Sequence, residues 1–191
     1  MKNLTYLATA AAALLTISCA SGPGGSQGMR SNADARKIEA ESRDALNRLY
    51  AKNPFARDLA SRSQGVLVFP EMTKGGLLIG GAWGDGALYD RGRSAGYYRS
   101  ISASYGLEAG LQKYGYALFL MDQNAINKLN RSGGWELGSE PNLTIVDTGV
   151  AGSLSTTTYD KGSVAIFFDQ RGLMGGISVQ GTKITRLAIN P

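Results

Sequence analysis

The stretch that decides the fold is GVLVFPEMTKGGLLIGGAWGDGALYDR, residues 65–91. Short apolar runs alternate in it with Gly, Lys and Asp, the pattern of strands separated by turns. It predicts a meander of three antiparallel strands. Glycines inside strands mark bulges, sharp coiling or close approach of another backbone, so we expect a curved, closed or partly closed sheet. The predicted strands are 66–69, 77–79 and 87–89, with Pro70 ending the first and turns at 73–76 and 84–86.

Two helices are predicted before this stretch. Residues 33–52 carry apolar side chains at helical spacing, and Asn32 or Asp34 is the expected cap. The pair Asn53-Pro54 ends this helix and starts a shorter one that reaches residue 64. The simpler interpretation packs both helices on the sheet. The alternative lays the first helix on a membrane surface as an amphipathic helix.

Beyond residue 91, turn residues recur at short spacing, which favours an antiparallel barrel or sandwich over βαβ units. Residues 90–93 are predicted as a turn, 122–130 as a short helix and 135–142 as a polar loop. The fold class is therefore α+β and mainly antiparallel, with about 9–10 strands, N-terminal helices and one short internal helix. The further strands are predicted at 95–105, 114–121, 143–146, 153–159, 164–168, 177–179 and 184–189.

Composition excludes several kinds of chemistry. The chain has 191 residues, no histidine and a single cysteine. A histidine-based triad, an imidazole metal ligand, an intramolecular disulfide and a CxxC site are therefore impossible. We expect neither a metal nor a cofactor. The formal charge of +5 permits contact with an anionic surface.

The first residues have the pattern of an export signal. Lys2 precedes an apolar segment at 4–17, and Cys19 follows small residues. The segment resembles a bacterial lipoprotein signal, in which residues 1–18 are removed and Cys19 becomes the acylated first residue. Thr16 stands where that pattern prefers leucine. An ordinary secretory signal with a coincidental cysteine is therefore the alternative.

The rest of the chain is predicted to form a tether and one domain. Residues 19–32 are rich in Gly and Ser and read as a flexible tether. Residues 33–191 form the domain, with helices in 33–64 and a β-rich part in 65–191. Acyl chains hold a protein on a membrane because each buried methylene contributes about 0.8 kcal/mol. The mature protein is therefore expected to be anchored to a membrane without spanning it.

Enzymatic signatures are missing. The glycines at 80–86 match neither a dinucleotide fingerprint nor a phosphate loop, and no Ser-x-x-Lys or Gly-x-Ser-x-Gly occurs. Most carboxylates fall at predicted turns and caps, where local hydrogen bonding explains them. The remaining catalytic hypothesis is a hydrolase with a carboxylate pair such as Glu71 and Glu108. We expect a protein that is not an enzyme.

A modest basic cluster follows the deciding stretch. Arg91, Arg93 and Arg99 surround Tyr97 and Tyr98. Phospholipid headgroups are a better anionic partner for an exported chain than nucleic acid, which we do not expect it to bind. The alternative is a solvated turn without a ligand.

Residues 64–189 resemble a SYLF domain, the lipid-binding module also called the actin-patch-protein-related domain. The matching segments are QGVLVFPEMTKGGLLIGGAWGDGALYDR, GLEAGLQKYGYALFLMDQNAINKL and FFDQRGLMGGISVQGTKI, with Lys74 and the closing Arg91 as motif residues. Eukaryotic members are associated with phosphoinositides and actin patches, and bacterial members are exported and often lipoproteins. The resemblance implies a non-catalytic, lipid-binding domain. It does not imply actin binding, because an exported protein would meet no actin.

Together these features predict an exported lipoprotein anchored at Cys19 to the periplasmic side of the outer membrane. Its domain is expected to bind anionic phospholipid headgroups through Lys74, Arg91, Arg93 and Arg99. The alternative is a structural or interaction protein of the cell envelope. Such a protein would contact another envelope protein and bind no lipid beyond its anchor.

Overall fold

A computed structural model describes residues 31–76, 79–105, 110–139, 141–147, 162–172 and 181–189. Over these residues the fold is α+β, with three helices and one sheet that curls into a half-barrel, which confirms the predicted fold class. The helices are Asn32–Lys52 (α1), Pro54–Arg62 (α2) and Gln123–Leu129 (α3). The strands are Gly65–Gly76 (β1), Ile79–Asp90 (β2), Arg93–Tyr105 (β3), Gly110–Leu120 (β4), Trp135–Glu136 (β5), Leu143–Asp147 (β6), Ser163–Gly172 (β7) and Thr182–Arg186 (β8).

The deciding stretch forms the centre of the sheet. The eight described strands follow the order β5-β8-β3-β2-β1-β4-β7-β6. Every neighbouring pair is antiparallel except β6 and β7, which run parallel. The two strands predicted at 153–159 and 177–179 lie outside the described residues.

The predicted three-strand meander is wrong in its turns. Residues 73–76 pair with β2 on one side and β4 on the other, and residues 84–86 pair with β3. Their Gly, Thr and Asp content suggested turns, but pairing with neighbouring strands satisfies their backbone groups in place. Pro70 does not end β1, because it lies where the register against β4 shifts between Phe69 and Met72. A proline at such a bulge interrupts no regular ladder.

Two glycines of β2, Gly84 and Gly86, are required by close approach of the β1 backbone. A Cβ atom on Gly86 would collide with the carbonyl oxygen of Val68, and one on Gly84 would lie 2.6 Å from the sulfur of Met72. Both contacts are with the irregular part of β1 around Pro70. The interpretation of strand glycines as markers of bulges and close backbone approach is therefore confirmed.

The sheet is covered on both faces. On the helix-bearing face, α1 and α2 bury apolar side chains against the sheet, which agrees with the simpler interpretation of the N-terminal helices. On the opposite face, α3 packs beside Trp135 and Leu137, both of which are buried. The prediction of a polar loop at 135–142 is therefore wrong, because two large apolar side chains in it complete the core. Central members of the helix-side cluster are Ala45, Leu49, Val68, Phe119 and Ile166, and those of the opposite cluster are Leu67, Phe69, Leu118 and Phe167.

Polar caps fix where the two N-terminal helices begin. The cap of α1 is Ser31, and neither predicted cap, Asn32 or Asp34, takes that position; Asp34 instead completes a capping box with Ser31. Asn53 ends α1, and its side chain accepts a hydrogen bond from the Ala56 N–H at the start of α2. One residue thus joins both helices.

Two contacts show how α1 crosses the sheet. Near its start, Glu39 accepts a hydrogen bond from the Tyr97 hydroxyl of β3 at 3.0 Å. Near its end, Arg48 and Lys52 bond to the carboxylate of Asp169 in β7 at 3.1 and 3.2 Å. The helix therefore runs from the β3 side of the sheet to the β7 side.

Acid should weaken the fold through the cap of α3. Burial raises the pKa of Asp122, but hydrogen bonds from the N–H groups of Gly162, Ala125 and Asn124 outweigh burial and leave that pKa below its usual value. A carboxyl with a lower pKa in the folded state stabilises the fold above its unfolded pKa, about 3.9 for Asp. That stabilisation is lost as the pH falls through the folded pKa. We therefore expect the free energy of unfolding to decrease below about pH 4.

Urea unfolding across this acid range measures the effect. Asp122→Asn keeps an acceptor for the cap but cannot change its charge, so its free energy of unfolding should depend less on pH than that of the wild type. Asp169, whose pKa is also lowered, titrates in both proteins, and the difference between them isolates Asp122. Identical pH dependence in the two proteins would contradict this role of Asp122.

Candidate functional site

The structure does not bring the four predicted lipid-binding residues together. Lys74 lies in β1 opposite Ala82 of β2, and only 6% of it is exposed. Arg91 follows Asp90, the last residue of β2. Ala82 and Asp90 are eight positions apart along β2, which at about 3.3 Å per residue is roughly 26 Å. Lys74 is therefore a buried residue at one end of the sheet, while Arg91 and Arg93 are exposed at the other.

Arg91 and Arg93 belong to the turn between β2 and β3, as predicted. Asp90 pairs with Arg93, and only Arg91 and Gly92 lie between them. Their φ angles are 48° and 79°. Positive φ at both central residues defines the two-residue type I′ turn, whose twist matches that of the flanking strands.

A cleft of about 520 Å³ opens beside this turn, between α1, α2 and the adjoining ends of β1 and β2. Three arginines line it, Arg43 from α1, Arg57 from α2 and Arg91 from the turn, and we call it the arginine cleft. The sequence singled out Arg91 alone. Arg43 and Arg57 were missed because they lie on helices far from Arg91 in sequence, and only packing of the helices on the sheet brings the three together.

The three guanidinium groups are held to different degrees. Arg43 donates to Glu39 Oε1 at 2.9 Å and lies over the ring of Tyr89, 5.5 Å from its centre. Arg57 donates to the carbonyl oxygen of Tyr50 at 2.8 Å. Within the described part of the chain, no hydrogen bond or ion pair holds the side chain of Arg91. Arg91 is thus the arginine most able to turn toward a ligand.

Two tyrosines in the arginine cleft carry no charge that would offset its arginines. Tyr50 and Tyr89 line it, and burial raises the pKa of each to about 12. For Tyr89 the positive charge of Arg43 opposes burial without overcoming it. Both phenols are therefore neutral at physiological pH, and the Tyr89 hydroxyl donates to the carbonyl oxygen of Glu39 at 2.9 Å. The tyrosines add aromatic surface and no negative charge.

Arg99 lies away from the arginine cleft. Its guanidinium makes two hydrogen bonds to the carboxylate of Asp85 on the neighbouring strand, at 2.8 and 3.1 Å. This paired, fork-shaped geometry neutralises the charge and fixes the side chain. Arg99 thus contributes an ion pair to the helix-bearing face of the sheet, in a different region from Arg91.

A second cleft, of about 530 Å³, lies where the end of α1 meets β7. Its main charged feature is the Asp169 carboxylate already paired with Lys52 of α1. β7 continues past its predicted end at 168, and Asp169 has a φ of 50° within it. Asp169 binds both Arg48 and Lys52, so this cleft contains a contact between helix and sheet, with Arg171 as a further cation in its lining.

The described residues contain no assembled catalytic or metal group. Glu71 is exposed and bonds to Lys113 at 2.7 Å, and Glu108 lies outside the described residues. No cluster of three or more His, Cys, Asp or Glu suited to a metal occurs in the described ranges. Cys19 also lies outside them. None of the described helices is long and apolar enough to cross a membrane.

Comparison with known families identifies the domain. Residues 101–188 match the model of a family described as Ysc84, Las17-binding protein actin regulator. No curated protein has a significant match to the chain. The matched residues run from the middle of β3 past the end of β8, so they cover much of the sheet and leave out the glycine-rich stretch at 65–91. The match confirms the resemblance indicated by the sequence motifs, and the chain carries a domain of the SYLF, or Ysc84, family.

Proposed function

We propose that this protein is an exported, non-catalytic lipoprotein whose SYLF domain binds anionic phospholipid. The observation that carries the proposal is the arginine cleft, which gathers three guanidinium groups and two neutral tyrosines around a space of about 520 Å³. Association of SYLF domains with lipid supports the same conclusion. The covalent anchor is Cys19, and the membrane is the outer membrane, at its periplasmic side.

The chemistry of the cleft suits a phosphate headgroup. A guanidinium presents a planar fork of N–H donors that matches two oxygens of a phosphate. Arg91 is exposed and reaches the cleft from the turn, while Arg57 approaches from α2. Because the two come from separate elements, a headgroup between them would be held from two sides.

Ion pairing among the carboxylates supports a non-catalytic role. A glycosidase-like mechanism requires one carboxyl to act as an acid and another as a base or nucleophile. Here Glu71 pairs with Lys113, Asp85 with Arg99, and Asp169 with Arg48. Each of these carboxylates is bound to a cation of its own, so no two of them form the acid and base pair that such a mechanism needs.

The test is vesicle co-sedimentation of the chain from residue 19 onward, with Cys19→Ser to exclude anchoring. Each cation near an anionic membrane contributes about 1 kcal/mol, and 1.4 kcal/mol is tenfold in affinity. We therefore expect Arg91→Gln with Arg93→Gln to weaken binding to anionic vesicles by roughly 30-fold. Binding of the unsubstituted domain should also weaken as salt is raised and be weaker on neutral vesicles.

A matched variant controls for charge alone. Lys128→Gln with Arg131→Gln also removes two positive charges, but from the end of α3 on the opposite face of the sheet. It should bind anionic vesicles nearly as well as the unsubstituted chain. Equal losses in the two variants would show that net charge, and not the cleft with the turn beside it, drives binding. Absence of vesicle binding by the unsubstituted chain would reject the proposal in favour of a protein partner in the envelope.

A further inference from the structure

An exposed apolar surface lies on the helix-bearing face of the sheet, on the part that α1 and α2 leave uncovered. Trp83 of β2 is 55% exposed, Ile101 of β3 is 48% exposed and Leu111 of β4 is 71% exposed. Trp83 and Ile101 are direct cross-strand partners. Leu111 lies on β4, two strands from Trp83. Adjacent exposed residues of this size, such as Trp83 and Ile101, mark interaction surfaces, whereas single ones are ordinary. We call these three residues the outer patch.

Strand register places the outer patch on the same face as α1. Side chains alternate between the two faces along a strand. Ile101, the partner of Trp83, is four residues after Tyr97 in β3 and therefore lies on the same face as Tyr97. The Tyr97 hydroxyl contacts α1 through Glu39. In β4, Leu111 is an even number of residues from Phe119, which lies in the helix-side cluster. The outer patch and the helices therefore project from the same face.

Positive charge borders the outer patch on both sides. Across five strand pairings, one row of partners crosses the face from β7 to β8. Lys113 in this row is bonded to Glu71, and Lys183 lies opposite Glu136 of β5 in the register. No ion pair within the described ranges holds Arg171 or Lys183. The row reads Arg171, Lys113, Thr73, Trp83, Ile101 and Lys183.

We propose that the outer patch rests on the lipid bilayer and sets the orientation of the anchored domain. This inference relies on the anchoring part of the proposed function. Tryptophan favours the boundary between headgroups and acyl chains, where its ring is in an apolar layer and its N–H meets water. Cations around it meet the anionic headgroups. Trp83 has the first feature, and Arg171 and Lys183, at the two ends of the row, supply the second.

The position of α1 and the length of the preceding segment allow a bilayer on this side. The helix starts on the β3 side of the helix-bearing face, and β3 carries Ile101 of the outer patch. Twelve residues separate Cys19 from Asn32, and about 3.3–3.6 Å per residue gives a reach of roughly 40 Å when fully extended. An acylated Cys19 can therefore hold this face close to the membrane.

A second copy of the chain fits the outer patch less well. A twofold axis near Trp83 would bring the Arg171 end of one row over the Lys183 end of the other. Like charges would then face each other at both ends of the interface. An anionic bilayer instead complements both ends at once.

Tryptophan fluorescence of the tethered chain tests the inference. Cys19 is the only cysteine, so its thiol can be coupled to a maleimide lipid in vesicles, which holds the chain from residue 19 onward at the bilayer independently of the arginine cleft. The chain has two tryptophans, and Trp135 is only 4% exposed. Emission that changes on contact with lipid therefore comes from Trp83. We expect a blue shift, and loss of most of the Trp83 emission when the acyl chains carry bromine.

Two variants make the test decisive. Trp83→Phe should remove the quenching by brominated lipid and leave the emission of Trp135. Ile101→Ser should reduce the quenching while Trp83 is still present. If the emission maximum of Trp83 in the coupled chain does not shift to shorter wavelength and brominated lipid does not quench it, the inference is overturned. A blue shift that depends on protein concentration, without quenching by brominated lipid, would assign the patch to a second copy and overturn it as well.

The coupled and uncoupled chains separate this inference from the proposed function. Arg91→Gln with Arg93→Gln should weaken vesicle binding of the uncoupled chain but leave quenching of Trp83 in the coupled chain. If the uncoupled chain fails to bind vesicles while Trp83 is quenched in the coupled chain, headgroup binding at the cleft fails and docking of the outer patch stands. The reverse result rejects the docking of the outer patch alone.

Discussion

Replacing Gly86 with alanine should lower the free energy of unfolding by about 3 kcal/mol. The added Cβ would fall inside the contact distance of the Val68 carbonyl oxygen and 2.8 Å from Cδ1 of Phe69. Overpacking a core costs about 1–3 kcal/mol when side chains can move aside. Here the nearest atoms belong to the β1 backbone, which pairs with strands on both sides and can yield little. The upper end of that range therefore applies.

Urea and thermal unfolding measure this loss. For a chain of this size about 3 kcal/mol corresponds to a fall of roughly 6–12 °C in Tm. Gly133→Ala is the matched control, because nothing lies within 4 Å of a Cβ built there. It should leave stability unchanged or raise it slightly, since alanine restricts the unfolded chain more than glycine. Equal stability of the two variants would mean that β1 relaxes away from β2 at little cost.

Phe119→Ala should cost about 4 kcal/mol, the largest single loss that we expect. Phe119 lies in β4, which pairs with β1 and β7, and its side chain is fully buried in the helix-side cluster. Leu49 of α1 belongs to the same cluster. Truncation removes apolar surface from the core and leaves a cavity between the sheet and the helix, and each effect is unfavourable.

Trp83→Ala provides the comparison for this variant. Its ring is larger than that of Phe119 but more than half exposed, so its removal should change stability by about 0.5 kcal/mol. Equilibrium unfolding in urea compares the two. A loss at Trp83 as large as that at Phe119 would show that the outer patch supports the fold, and would remove the reason to regard it as an interaction surface.

Structural elements that depend only on residues close together in the sequence could be predicted from it. Asn53-Pro54 separates the two helices because the amide caps one helix and proline suits the first turn of the next. The apolar run at 114–121 indicates a strand buried on both faces, and β4 is such a strand. The turn at 90–93 follows from its glycine.

Features that depend on distant residues could not be predicted in the same way. Lys74 and its neighbours have the composition of a turn, and only the strands beside them show that they belong to β1. The arginine cleft depends on how α1 and α2 pack, and no short-range pattern links Arg43 to Arg91. The outer patch depends on cross-strand register, which joins Trp83 to Ile101 although no sequence motif connects them.

Under the proposed function, the type I′ turn makes backbone stability and headgroup binding compete at one position, Arg91. Arg91 adopts a φ of 48°, in the left-handed region that glycine and asparagine occupy at lower cost than arginine. A chain optimised for folding alone would carry asparagine there, as the common Asn-Gly hairpin does. Arg91 places a cation that no described hydrogen bond holds at the rim of the cleft, and its positive φ strains the backbone there. On this basis, relatives that lose the ligand should drift toward asparagine or glycine at this position, and the hairpin itself should become more stable as they do.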